Sequence, residues 1–158
     1  MSVATKLVKP AAEALQIIAA DMRDADAAEV WASHQHTPLE ALTFGWELSD
    51  FSVIVEIDGV PCAMLGLVVQ SLLTGAGSPW LLATNHALKY KREFLVQSPP
   101  VINEMLSICP RLWNYVHADN KVSIRWLKWL GFTIDDPQKL SSGEYFHRFH
   151  LERVTDDV

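Results

Sequence analysis

The stretch from Trp113 to Phe132, WNYVHADNKVSIRWLKWLGF, constrains this chain more than any other. It reads as a short buried strand, a polar corner, a helix of about three turns and a glycine stop, joined without slack. Val116 and Ala118 alternate with Tyr115, His117 and Asp119. Successive side chains of a strand point to opposite sides, so this one has two distinct faces. Asp119 or Asn120 is placed to cap the following helix by accepting hydrogen bonds from its first free backbone N–H groups. Gly131 ends that helix, because a residue without a Cβ readily takes the left-handed conformation of a C-terminal cap. A helix start just past a buried strand suits an anionic or strongly polar ligand.

A single strand and helix cannot bury their apolar faces alone, and the rest of the chain supplies a sheet. Thr5 to Lys9 reads as a first strand, with Pro10 in the first turn of a helix over Ala11 to Met22 whose apolar face is Leu15, Ile18, Ala19 and Met22. Asp24 or Asp26 starts a second helix through Val30 and Trp31, and Thr37-Pro38 starts a third with Leu39, Leu42, Phe44 and Trp46. Phe51 to Ile57 and Pro61 to Val69 form a hairpin about Asp58-Gly59, since both turn residues can take positive φ. Gly66 marks a bulge or the close approach of another backbone. Gln70 to Gly77 is a flexible connector and Trp80 to Thr84 a fourth strand.

Asn85 to Val96 resumes helical character, and Pro99-Pro100 separates it from another helix, Val101 to Cys109. After Phe132, Asp135-Asp136-Pro137 turns the chain, Glu144 to Leu151 is the final strand, and 154–158 a loose tail. The expected class is a mixed α+β sheet with helices on both faces, in one domain over 1–153.

At 158 residues the chain is long enough for one substantial core. Its net charge of -6 argues against nonspecific nucleic-acid binding and for a neutral or cationic partner. Cys62 and Cys109 lie in apolar surroundings and read as reduced, buried thiols of a cytoplasmic protein. No apolar run reaches the ~18 residues of a membrane span, and the N-terminus lacks a signal-peptide core. No membrane association is expected.

Asn120, Ser123, Gly131 and Phe132 resemble the GCN5-related N-acetyltransferase (GNAT) family, in which the fifth strand is followed by Asn-x-x-Ala/Ser, a helix and Gly-Phe. The order of elements after the first helices is also similar to that family. The chain further looks like the short acetyltransferase-like proteins of short-tailed bacteriophages, which share a Trp-Leu-x-x-Thr strand, here Trp80 to Thr84, without the usual glycine loop. The resemblance implies a GNAT-like twisted mixed sheet, splayed between strands four and five, with acetyl-CoA as cosubstrate. Open backbone groups of strand four would pair with the cofactor's pantetheine amides, as in strand addition. The N–H of Leu82 or Ala83 would polarise the thioester carbonyl. Thr84, Asn85, Asn120 and Ser123 would complete the cofactor contacts.

Two departures from that family stand out. Its Gln/Arg-x-x-Gly-x-Gly/Ala loop, which wraps the pyrophosphate, is replaced by Thr84-Asn85-His86-Ala87-Leu88-Lys89. Asn85 can still cap a helix, and Lys89, Lys91 or Arg92 either neutralise phosphate or form a solvated face. The Tyr that protonates the leaving thiolate falls on Leu127, leaving a water or Tyr90, Tyr115 or Tyr145 as proton donor. The candidate bases are His117, His86 and Glu56; the plainer alternative makes each a packed, capping or outward-facing strand residue. His34 with His36 and His147 with His150 have metal-like spacings, but a strand puts the second pair on opposite faces, and no metal site is expected. Trp126 and Trp129 face the core or a partner, while Lys121, Arg125 and Lys128 share a solvated flank that can also hold a 3′-phosphate.

Two functions follow as expectations. One is transfer of an acetyl group from acetyl-CoA to an amine of a small molecule or protein. The alternative is a catalytically weak or inactive GNAT-like phage protein that binds a host protein, in the host cytoplasm, through anchors such as Trp31, Trp46 or Trp129. Either is compatible with a monomer or homodimer.

Overall fold

A computed structural model describes residues 3–154. In chain order the elements are β1 (Thr5–Val8), α1 (Ala12–Ala20), α2 (Asp24–His34), α3 (Pro38–Leu48), β2 (Phe51–Ile57), β3 (Val60–Ser71) and β4 (Ala76–Ala83). A 3₁₀ turn (His86–Tyr90) leads into α4 (Lys91–Ile108), then β5 (Arg111–His117), α5 (Lys121–Trp129), β6 (Thr133–Lys139) and β7 (Tyr145–Glu152). The strands form one mixed sheet in the order β1-β2-β3-β4-β5-β7-β6. β1–β2, β2–β3, β5–β7 and β6–β7 run antiparallel and β4–β5 parallel. No described helix is long and apolar enough to cross a membrane.

The chain divides into two compact units, Met1–Val68 with Trp80–Gln97, and Val69–Pro79 with Ser98–Val158. In the first unit, Leu15 and Ile18 of α1, Leu42 of α3, Ile54 of β2, Met64 of β3 and Leu82 of β4 make one buried cluster. Their burial follows from the helical spacing of α1 and the alternation of the strands. Thr37 and Glu40 start α3 with a reciprocal capping box, the Glu40 N–H donating to Thr37 Oγ1 and the Thr37 N–H to Glu40 Oε1. The β2–β3 hairpin turns as expected through Asp58 (φ 51°) and Gly59 (φ 79°). The bulge lies at Val55/Glu56 instead of Gly66. What approaches Gly66 is the Trp80 indole, which also lies against Gly45 of α3 and donates from Nε1 to Ser49 Oγ at 2.8 Å.

In the second unit, Leu112 and Val116 of β5, Ile124 and Leu127 of α5, and Phe146 and Phe149 of β7 are buried. The Phe132 and Phe149 rings meet edge to face at 5.2 Å. Gly131 takes φ 102° just past α5, as its position demands.

Four further expectations change. The segment expected to be a turn at Asp135-Asp136-Pro137 is part of β6, which bulges between Ile134 and Pro137. As the outer strand it can carry a proline and, at its bulge, two acids outside the ladder register, because one row of its backbone groups bonds to no neighbour in the sheet. α4 runs through Pro99 and Pro100 without breaking, and the division between the units falls beside them, at Gln97/Ser98. The connector before the fourth strand is shorter than expected, since β4 begins at Ala76. Finally, α1 ends at Ala20, and Met22 leaves the helix to form an antiparallel bridge with Thr84. Of the expected tail, residues 155–158 lie outside the described residues.

Candidate functional site

β4 runs through both units. At its start, in the second unit, it is paired in parallel with β5 at Ala76↔Arg111 and Gly77↔Leu112. Two residues on, the Pro79 carbonyl accepts from the Asn114 side-chain Nδ2 at 2.9 Å. A side chain there takes the place of a backbone partner.

At the far end of β4, in the first unit, Thr84 donates to the Cys62 carbonyl from both its N–H and its Oγ1, each at 2.9 Å. Thr84 thus faces β3. Alternation along the strand turns the backbone of Leu82 the same way and that of Ala83 toward the opposite edge. That edge is filled by the chain itself. The Ala83 carbonyl accepts from the Arg23 N–H at 2.9 Å, and the Ala83 N–H donates to Asp26 Oδ2 at 2.9 Å. The Asn85 N–H donates to the Asp21 carbonyl at 2.9 Å, which completes the Met22–Thr84 bridge. Asp21 adds its carboxylate, accepting from Asn85 Nδ2 at 3.1 Å and from the His86 N–H at 3.1 Å.

The linker between α1 and α2 is held there by its own chemistry. Asp24 and Asp26 sit in the first turn of α2, where the positive end of the helix dipole favours carboxylates. Asp26 is 2% exposed and pairs with Arg23 Nη1 at 3.4 Å. Burial raises its pKa, and the Arg23 charge and the Ala83 N–H pull the other way.

The other candidates of this unit are dispersed. Thr84 is buried, and its Oγ1 also accepts from the Ala87 N–H at 3.2 Å. The His86 ring packs edge-on against Tyr90 at 5.2 Å between centroids. Lys89, Lys91 and Arg92 are exposed. Glu56 lies opposite Lys6 in the β1–β2 pair, a cross-strand arrangement of opposite charges. His34 and His36 stack at 5.6 Å between ring centroids, with Phe44 edge-on to His36 at 5.0 Å.

In the second unit Asn120, rather than Asp119, caps α5, its Oδ1 accepting from the Ser123 N–H at 3.4 Å. Asn120 is buried and Ser123 half-buried, while Leu127 is buried in the core. His117 Nδ1 accepts from the Asp119 N–H at 3.1 Å, so Nε2 carries the ring proton and donates to Glu144 Oε1 at 2.9 Å. The acceptor nitrogen of His117 is therefore already engaged. His147 and His150 converge on one residue despite their opposite faces. His147 Nδ1 meets the Asp135 carbonyl at 2.7 Å, and His150 Nε2 meets Asp135 Oδ1 at 3.0 Å. The bulge in β6 gives Asp135 this reach. Among the described residues, no three His, Cys, Asp or Glu are placed to hold a metal ion.

Sequence reasoning missed Asp21, Arg23 and Asp26. The helical spacing assigned Met22 to the apolar face of α1, Asp24 or Asp26 read as a helix start, and Asp21 carried no role. A pair of acids flanking an arginine just past a helix was the available signal.

No protein-family model and no curated protein matches the sequence. Solved structures do match over nearly the whole chain. The ribosomal-protein-S18-alanine N-acetyltransferase of Escherichia coli is 14% identical with a TM-score of 0.67, covering 98% of this chain and 99% of its own. A spermidine N-acetyltransferase variant from Vibrio cholerae is 11% identical with a TM-score of 0.66, covering 94% of each chain. A ribosomal L7/L12 alpha-N-protein acetyltransferase in complex with coenzyme A is 9% identical with a TM-score of 0.66, again over 94% of each. With the strand, Asn120 cap, α5 and Gly131 in their expected order, this chain has the fold of the GCN5-related N-acetyltransferases.

Proposed function

We propose that this chain is an N-acetyltransferase that takes its acetyl group from acetyl-CoA and passes it to an amine of a small molecule or protein. The observation that carries the reading is the match of fold along 98% of the chain to an N-acetyltransferase. In this reading Lys89 and the backbone groups of Ala83 and Asn85, which face away from β3, are the first unit's cofactor contacts, and Asn120 and Ser123 are the second unit's; Leu82 and Thr84, turned toward β3, are not. His86, with Tyr90 beside it, is the first unit's candidate for moving a proton. Glu56 sits opposite Lys6 in the β1–β2 pair, and the His117 lone pair is taken by the Asp119 N–H, which disfavours both as acceptors for an incoming ammonium's proton.

As they are arranged, the groups at the end of β4 do not fit the cofactor. The Ala83 and His86 N–H groups already donate to Asp26 and Asp21. Calorimetry with acetyl-CoA tests the reading: binding should be measurable and weaker in Asn120→Ala. No binding at millimolar cofactor would remove it.

A second reading, docking on a host protein, is favoured by the exposed aromatics of the first unit. Trp31 is 58% exposed, Phe44 44% and Trp46 37%. It requires a stoichiometric partner that is retained without cofactor and lost in the Trp31→Ala, Trp46→Ala double variant. A partner retained equally by that variant would count against it.

A further inference from the structure

The linker between α1 and α2 matches, group for group, what an amide-bearing phosphate ester offers a strand edge. The Asp21 carbonyl accepts from the Asn85 N–H and the Arg23 N–H donates to the Ala83 carbonyl, the alternating acceptor and donor of an extended amide chain. The Asp21 carboxylate supplies an anion to the His86 N–H and Asn85 Nδ2. The Asp26 carboxylate takes the Ala83 N–H.

We propose that residues 21 to 26, the α1–α2 linker with the first turn of α2, are an internal stand-in for the cofactor on the edge of β4, and that acetyl-CoA binds only after this segment has left that edge. The proposal rests on the acetyltransferase reading above.

Two physical points support it. A backbone group on a strand edge has one hydrogen-bonding direction in the sheet, so linker and ligand compete for the same Ala83 groups. The anion position is contested as well: the Asp21 carboxylate already holds the His86 N–H and Asn85 Nδ2, the donors a phosphate would need. Competition of this kind lowers apparent affinity by the fraction of molecules in which the edge is open. The contact is also a natural place to open. Met22–Thr84 is an isolated bridge outside the named strands, and it joins the end of one helix to the start of another.

The test compares acetyl-CoA affinity by calorimetry in the full chain and two variants. Asp21→Ala removes the carboxylate bonds to Asn85 and His86 and should bind acetyl-CoA at least about tenfold more tightly. The second variant combines Met22→Cys with Thr84→Cys, residues directly opposed in the bridge, so that a disulfide locks the linker down. Oxidised, it should not bind; reduced, it should bind again. That comparison stands even if Asp21→Ala fails to fold, because both of its arms are one polypeptide.

Equal affinity in the wild type, Asp21→Ala and both redox forms would overturn the stand-in and leave the acetyltransferase reading intact. No binding by any of them, Asp21→Ala and the reduced form included, would overturn both.

Discussion

Replacing Gly66 with alanine drives a methyl group into the indole of Trp80. A Cβ built on Gly66 falls 2.4 Å from both Nε1 and Cε2 of that ring, against 3.4–4 Å for ordinary contact, so the ring must retreat by about 1 Å. Retreat is opposed on the α3 side, where a Cβ on Gly45 would stand 2.7 Å from Cζ2 of the same ring. Moving the ring also stretches the 2.8 Å bond from its Nε1 to Ser49 Oγ. Overpacking of this kind costs about 1–3 kcal/mol and a lost hydrogen bond about 0.5–1.5 kcal/mol. Alanine's lower chain entropy in a strand returns about 0.5–1 kcal/mol. The net expectation is a loss of about 2–3 kcal/mol, or roughly 4–12 °C in Tm for a chain of this length. Urea denaturation followed by circular dichroism measures it, in the wild-type background and in Trp80→Leu, where most of the penalty should vanish. A Gly66→Ala protein within about 0.5 kcal/mol of wild type, or an equal penalty without the indole, would refute the packing argument.

Asp26→Ala leaves the buried Ala83 N–H without its acceptor and should be about 1–3 kcal/mol less stable than Asp26→Asn, which keeps an oxygen there; paired urea curves decide. Because burial raises the Asp26 pKa, the folded state holds that proton more tightly. This group's contribution is therefore greatest below the ordinary value of 3.8 and declines as pH rises through the raised one, a slope Asp26→Asn should remove. His34 behaves with the opposite slope: burial and then the His36 charge lower its pKa, so its contribution is present above 6.5 and is lost as pH falls through the lowered value. The groups facing it are Ser33, His36 and Phe44, and His34→Gln should flatten the acid side of a stability–pH profile. Thr37→Ala breaks the capping box of α3 and should cost about 1 kcal/mol in thermal unfolding, with no change in slope if the cap acts locally.

How far the sequence could be read depended on the range of the interaction involved. The Asp58-Gly59 turn, the Thr37 cap and the Gly131 stop were legible because each is settled within a few residues by backbone sterics or one capping bond. The same holds for the strand and helix that point to the acetyltransferase fold, with a cap at Asp119 or Asn120 that the structure resolves to Asn120. β6 was missed because a proline and paired aspartates signal a turn, and only a place at the sheet's margin makes them acceptable in a strand.

The sequence by itself determined the order of elements apart from β6 and the continuity of α4, the local turns and stops at Asp58-Gly59, Thr37 and Gly131, and the absence of a glycine loop after β4. Tertiary structure alone decided that Met22 leaves its helix for Thr84, that Asp21 and Asp26 take the N–H groups at the end of β4, and that Gly66 makes room for Trp80. Helix periodicity and capping act through neighbours in the chain, so they are written locally. A hydrogen bond between Asp26 and Ala83 joins residues brought together only by folding, and no local pattern encodes it.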